Sequence, residues 1–300
     1  MGRVEKRCPV GSTPIVCRHL SMVMVLSSCS QQSLAIQEEM AGTAPSKISF
    51  FVLLDYRKRW PARFSLDDLE ISSDLRDRIE GLLESRSDSR LLLIRRPRNQ
   101  DQPRILIVDT IREESFIADL DSDWSTDGYR GFQTFSEPFT LVCTHGSRDA
   151  CCAKLGGLFF RALHRLSPRS VWQASHLGGH RFAATAIQFP VGRLYGRLLP
   201  TDAPQFIGVD SPDLPHKLRG LTRYERPAQF VEAMLMRSGG QSLLFQEQIS
   251  LSADRWRIRF QSKTELITTM VERVATDLVR CSSCSDQEPR PVFAWSMDHA

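Results

Sequence analysis

Long hydrophobic runs are missing from this chain of 300 residues. Its apolar stretches, such as Phe50 to Leu54, fall far short of the roughly 20 residues that a membrane-spanning helix needs, so no membrane span is expected. An excess of one charge is missing too. The 39 Lys+Arg and 35 Asp+Glu leave only +4, which is not a nucleic-acid footprint, although a local basic patch is compatible with it. A regular cysteine framework is also absent. Cys8, Cys17 and Cys29 lie in the first 29 positions, Cys143, Cys151 and Cys152 within ten residues, and Cys281 and Cys284 near the end. A chain this long does not need disulfide staples, and clustered cysteines point to metal or redox chemistry in a reducing, cytoplasmic compartment. What is present is 41% hydrophobic and 25% charged residues, the composition of a globular chain with a real core, in one or two domains.

The N-terminus superficially resembles a lipoprotein leader, with Leu26-Ser27-Ser28-Cys29 after a basic stretch and a short apolar one. The apolar part is shorter than a signal core, and Cys8, Pro9 and Pro14 precede it. Residues 1–28 therefore read as a poorly ordered extension, or as an over-long start with Met22 or Met24 the true first residue. Residues 1–46 as a whole carry no sustained periodicity and read as largely irregular.

From Lys47 the pattern becomes globular. Ile48 to Leu54 reads as a buried strand and Ser73 to Ser85 as a helix with Leu75, Ile79, Leu82 and Leu83 on one face. Leu91 to Ile94 and Ile105 to Val108 are further strands, joined by a polar turn from Pro97 to Pro103. After a polar linker at 119–131 the same grammar returns. Phe139 to Val142 is a strand, Cys152 to Leu166 a helix, Ser170 to Gln173 a strand, and 184–198 a hairpin around Val191-Gly192. The expected fold is α/β: two tandem thioredoxin-like units with a mixed sheet, at 47–130 and 131–205. A C-terminal α+β extension follows at 206–300, with a helix from Pro227 to Arg237, a strand from Arg255 to Phe260, and strands favoured over helix at 265–279. One larger α/β domain is the alternative.

The chemistry concentrates in CTHGSRDACC at 143–152 and in SHLGGHRFA at 175–183. Cys143 ends a strand and Cys152 opens a helix, whose dipole favours a thiolate. The loop carrying His176 and His180 should leave the neighbouring strand at the same sheet edge, where open α/β sheets place ligands. Gly178 and Gly179 permit a tight turn between the histidines. Several chemistries compete for these residues. A thiol phosphatase needs five residues between its Cys and Arg, and Cys143 and Arg148 have four between them. A cysteine hydrolase would use one Cys and one His. A thioredoxin-type oxidoreductase wants Cys-x-x-Cys, and a Cys151–Cys152 disulfide would be strained. A zinc site of two Cys and two His is chemically sound but usually has closer cysteines. Simple burial explains any one of these side chains, but poorly explains four residues of metal-ligand type within 38 positions. For Cys281 and Cys284 the choices are half a zinc site, a redox dithiol or no role; no second pair lies nearby in sequence, so no site is assigned to them.

CTHGSRDACC, HLGGHRFAAT at 176–185 and GRLYGRLLP at 192–200, with Cys29-Ser30, AGTAP at 41–45 and FFVLLDYRKRWP at 50–61 upstream, resemble the sucrase/ferredoxin-like family of thioredoxin-like [2Fe–2S] ferredoxins. The resemblance covers roughly 29–295. It implies that Cys143, Cys152, His176 and His180 hold a [2Fe–2S] cluster, that His145, Arg148, Asp149, Gly178 and Gly179 support those ligands, and that Cys151 is a bystander. It departs at Ala184-Thr185, where Gly-Asn is frequent in the family. The word sucrase finds no support, since no carboxylate pair stands out as glycosidase machinery. What the resemblance implies is an electron carrier or redox sensor rather than a catalyst, working with a redox partner protein. Histidine in place of thiolate would make such a cluster easier to reduce. A zinc-stabilised or metal-free thioredoxin-like binding module is the alternative, and a redox enzyme acting on thiols or small electrophiles a third reading.

Overall fold

The computed structural model describes residues 28–97, 102–125, 127–207, 214–240 and 243–298. Cys8, Cys17, Met22, Met24 and most of the turn expected between Pro97 and Pro103 lie outside them. Strand β1 (Phe50–Asp55), β2 (Ser89–Arg95), β3 (Arg104–Asp109), β4 (Glu114–Asp119) and β5 (Gln133–Thr134) come from the first half. Strands β6 (Phe139–Cys143), β7 (Val171–Ala174), β8 (Ala186–Phe189), β9 (Arg193–Tyr195) and β10 (Leu218–Leu221) come from the second. All ten form one mixed sheet in the order β10-β9-β8-β6-β7-β2-β1-β3-β4-β5. A separate antiparallel sheet holds β11 (Leu244–Ser250), β12 (Arg255–Gln261), β13 (Leu266–Arg280) and β14 (Arg290–Met297) in sequence order.

Among the described residues the α-helices are α1 (Cys29–Ala35), α2 (Ser73–Glu84), α3 (Gly157–Leu166) and α4 (Arg226–Arg237). Helix α2 starts where Ser72 accepts the Leu75 N–H, and it buries Ile79 and Leu82. A π-helical turn, Cys152–Gly156, leads into α3. Such turns insert an extra residue and often mark functional sites.

In each half a strand, a helix and a second parallel strand precede an antiparallel hairpin. β1 pairs parallel with β2 and antiparallel with β3, which pairs with β4. β6 pairs parallel with β7 and antiparallel with β8, which pairs with β9. The halves are not separate sheets. β2 and β7 join them antiparallel through Ile94 opposite Ala174 and Arg95 opposite Gln173. Alternation along the strands explains why every residue of β1 is buried. Phe50, Val52 and Leu54 face the core under α2, while Phe51 and Leu53 face a core shared by both halves. On β6, Phe139, Leu141 and Cys143 point into that shared core and Val142 points towards α3.

The expected helix at 73–85 and the hairpin after β7 are present, and all of 265–279 but Glu265 lies in strand β13. Strand β4 and helix α1 had no periodic signal to announce them. β4 ends at Asp119, the first residue of the expected linker, and the linker buries Trp124.

Gly156 shows how tightly the π turn packs on β6. A Cβ there would run into the Cys143 carbonyl oxygen, a clash with backbone rather than with a movable side chain. Gly156→Ala is expected to destabilise the fold by about 1–3 kcal/mol or more, read as a lower denaturant midpoint at unchanged slope. An unchanged midpoint would show that the turn does not sit against β6.

Candidate metal centre

Parallel pairing places Cys143 opposite Ala174, so the chains leaving β6 and β7 emerge side by side. The Cys143 and Cys152 sulfurs and a ring nitrogen of His176 all lie within 4.8 Å of one another, with both cysteines buried and His176 half-buried. Cys152 Sγ is 3.8 Å from His176 Nδ1. The Cys143 thiol is held well below its usual range, first by the hydrogen bond from Cys152, against the opposing effect of burial, and then by His176. Cys152 is pushed up by the same hydrogen bond and by burial.

His180, expected as the fourth member, stands beside this trio. Its ring centroid is 5.1 Å from that of His176, and its Nδ1 is 3.2 Å from Asp149 Oδ2 and 3.5 Å from Cys29 Sγ. Burial pushes His180 down to about 4, so the imidazole is neutral near pH 7. Asp149 is buried, which works to raise its carboxyl, but the backbone N–H groups of Cys284 and Cys151 outweigh that and hold it below the usual range. A neutral imidazole facing a carboxylate carries its proton on Nδ1, which leaves the Nε2 lone pair free to bind a metal.

The supporting residues hold the histidine loop from several sides. His145 accepts the His176 N–H on Nδ1 at 3.1 Å, so its Nε2–H donates to the Pro61 carbonyl at 2.9 Å. Arg90, from β2, donates to the His176 carbonyl at 2.6 Å. Ser175 accepts the Leu93 N–H on its hydroxyl and donates its own N–H to the Leu93 carbonyl. The first half of the chain thus grips the loop of the second. Gly178 (φ +97°) and Gly179 (φ +67°) have positive φ and form the tight turn that two glycines permit. The Gly178 carbonyl accepts from Arg219 Nη1, whose guanidinium would lie 2.5 Å from a Cβ at Gly179. Arg219 Nε also donates to Thr43 Oγ1, which ties AGTAP to this loop. Arg148 is half-buried and contributes positive charge near His180.

Cys151 is not isolated. Its sulfur lies 3.7 Å from Cys29 and 3.3 Å from Cys284, and Cys284 is 3.5 Å from Cys29. With Asp149 these three form a second group of metal-type ligands. Consecutive residues on a helix point about 100° apart, so Cys151 and Cys152 face different neighbours. That much was available from the adjacent cysteines. Nothing local in the sequence links Cys29 or Cys284 to them. Cys281 takes a different path: its N–H donates to Gln32 Oε1.

An α/β protein with thiol and imidazole donors converging at the ends of two parallel strands is a candidate metalloprotein. Residues 11–217 match the model of the sucrase/ferredoxin-like family, and the chain belongs to that family. Over 80 residues it is 32% identical to Altered inheritance of mitochondria protein 32 of the yeast Meyerozyma guilliermondii, a match covering 23% of this chain and 28% of that protein. The chain therefore aligns with under a third of that relative's length. No solved structure matches. Among the described residues no helix is long and apolar enough to cross a membrane.

Glu38 locks together the elements around both groups. Its carboxylate accepts from Arg181 at 2.9 Å and Arg280 at 3.1 Å, and its carbonyl from Arg197 at 2.8 Å. Burial works to raise the Glu38 carboxyl, but Arg280 and Arg181 hold it below the usual carboxylate range. A carboxyl depressed in the folded state stabilises above the unfolded pKa and loses that contribution as pH falls through the folded one. Glu38→Gln is expected to cost about 3–5 kcal/mol at pH 7, since it leaves buried arginines unpaired. The gap from wild type should narrow as the pH drops below the ordinary carboxylate range. Denaturant unfolding at several pH values measures this; a gap independent of pH would contradict an ionised, paired Glu38.

Proposed function

We propose that this protein is a [2Fe–2S] iron–sulfur protein, a one-electron carrier or redox sensor rather than a catalyst, with the cluster held by Cys143, Cys152, His176 and His180. The convergence of Cys143, Cys152 and His176 in a buried setting carries the reading. The donor set suits the group. Two thiols offer soft sulfur, one of them already disposed to ionise, and no carboxylate belongs to this trio. A fourth donor set to one side, as His180 is, suits a group with two metal atoms better than a single ion.

When bound, such a cluster supplies reversible one-electron transfer at a potential raised by imidazole in place of thiolate. The chain's own residues set the conditions. Asp149 holds the His180 proton at Nδ1. His145 and Arg90 fix the His176 backbone, and the shared core around Cys143 and Cys152 excludes water from the sulfurs. The repeated strand pairing supports reading the two halves as tandem thioredoxin-like units, with only the second carrying ligands. Among the described residues the six cysteines form no disulfide, in keeping with a reducing, cytoplasmic compartment, and an electron carrier there would work with a redox partner protein. The competing reading is a zinc-stabilised or metal-free binding module.

Anaerobically purified protein should be red-brown, contain about two iron and two acid-labile sulfide per chain, and give an EPR signal on reduction. Cys143→Ser and Cys152→Ser should each lose most of the colour. A colourless protein with zinc at these residues would replace this reading with the competing one. The potential should fall as pH rises through the range where the oxidised-state ligand N–H ionises, and His176→Cys or His180→Cys should lower and flatten it, because a thiolate adds negative charge. A flat wild-type potential with an intact cluster would remove at least one histidine from the ligand set.

A further inference from the structure

The second group of donors has no part in that reading. Cys29 comes from α1, Cys151 from the start of the π turn and Cys284 from the connection between β13 and β14. Their three sulfurs are mutually 3.3, 3.5 and 3.7 Å apart. Those distances are far too long for a disulfide, whose sulfurs are about 2.05 Å apart. They are close to the spacing of about 3.8 Å that three sulfurs adopt around one tetrahedral zinc with Zn–S bonds of about 2.3 Å. The fourth corner is supplied as well. Asp149 Oδ1 lies 4.0 Å from Cys29 Sγ and accepts the Cys151 N–H at 2.8 Å, which leaves it a free lone pair. The other oxygen, Oδ2, is engaged by the Cys284 N–H at 3.0 Å, the Ser283 hydroxyl at 3.2 Å and His180 Nδ1.

We propose that Cys29, Cys151, Cys284 and Asp149 form a structural site for one zinc ion, separate from the iron–sulfur ligands. Thiolate-rich, closed, four-coordinate donor sets favour this metal. Binding replaces the thiol protons, which pass to solvent, and involves no change of oxidation state. The ion ties together three segments that are remote in sequence. Cys29 and Cys151 pack with Ala183 in a small core distinct from the one containing Cys152, so each of the two adjacent cysteines belongs to its own centre. The site also bears on its neighbour. Asp149 would bind the ion through Oδ1 while orienting His180 through Oδ2, so the zinc would stiffen the mounting of one iron ligand.

The proposal stands or falls separately from the iron–sulfur reading, because zinc and iron can be measured on the same full-length sample. About one zinc per chain is expected by elemental analysis. Cys284→Ser, at an exposed position and therefore tolerant of change, should lose the zinc and keep the iron and colour. Cys29→Ser should do the same, while Cys143→Ser should lose iron and keep zinc. Cobalt(II) supplied in place of zinc should give the intense visible bands of a tetrahedral thiolate site in the wild type and not in Cys284→Ser. Three outcomes overturn the proposal: protein without zinc whose three thiols all react with a thiol reagent; a mass two hydrogens light with a Cys151–Cys284 or Cys29–Cys284 linkage, which would make this a redox pair; or zinc retained in both Cys284→Ser and Cys29→Ser. Protein with zinc but no iron would leave this site standing and remove the iron–sulfur reading.

Discussion

The parallel pairing of β6 with β7 is the constraint on which the rest of the arrangement depends. Parallel neighbours end at the same edge, so Cys143 and the histidine loop leave the sheet together. An antiparallel pair would have put them at opposite ends, with no loop short enough to bring them back. The crossover that parallel pairing requires supplies Cys151 and Cys152. It carries the chain from Cys143 over the π turn and α3 to Val171. Cys151 and Cys152 sit where that crossover starts, so a single topological choice delivers three of the sulfurs.

The first half of the chain repeats the pairing pattern but carries no thiol among β1 to β5 and α2. Its contribution is mechanical. Arg90, Pro61 and Leu93 bond to the backbone or to the support of the histidine loop. The β2–β7 junction is short, only two residue pairs, and these polar contacts complement it with a shared apolar core beneath. A loop with two histidines and a left-handed glycine turn is not held by that turn alone, and here a second unit braces it.

Much of this was legible in the sequence because period and chemistry are local signals. Buried strands such as Phe50 to Leu54 announce themselves by composition, and CTHGSRDACC with HLGGHRF mark a donor cluster by spacing. The remainder depends on contacts with no local trace. Helix α1 is a single short run, CSQQSLA, whose one marker is the capping box of Ser28 with Gln31. Cys29 meets Cys284 across 255 positions, a distance no periodicity reports. The C-terminal strands look unremarkable singly, yet β13 runs for 15 residues, about 50 Å, and its far end delivers Arg280 to Glu38 and Cys284 to Cys151.

Asp149 links the two donor groups, and its chemistry explains why a carboxylate stands there. Its Oδ2 faces three donors: the Cys284 N–H, the Ser283 hydroxyl and His180 Nδ1. An asparagine could offer its carbonyl to these only by turning its NH2 towards the Cys151 N–H and the sulfurs, where an acceptor is needed. A carboxylate accepts on both sides and also stabilises the Nδ1–H form of His180. The tautomer of one imidazole is therefore set by a side chain that belongs to the neighbouring thiol group. The backbone N–H groups of Cys151 and Cys284 and the His180 ring meet on that one carboxylate, so the two groups adjoin through Asp149 although they share no sulfur.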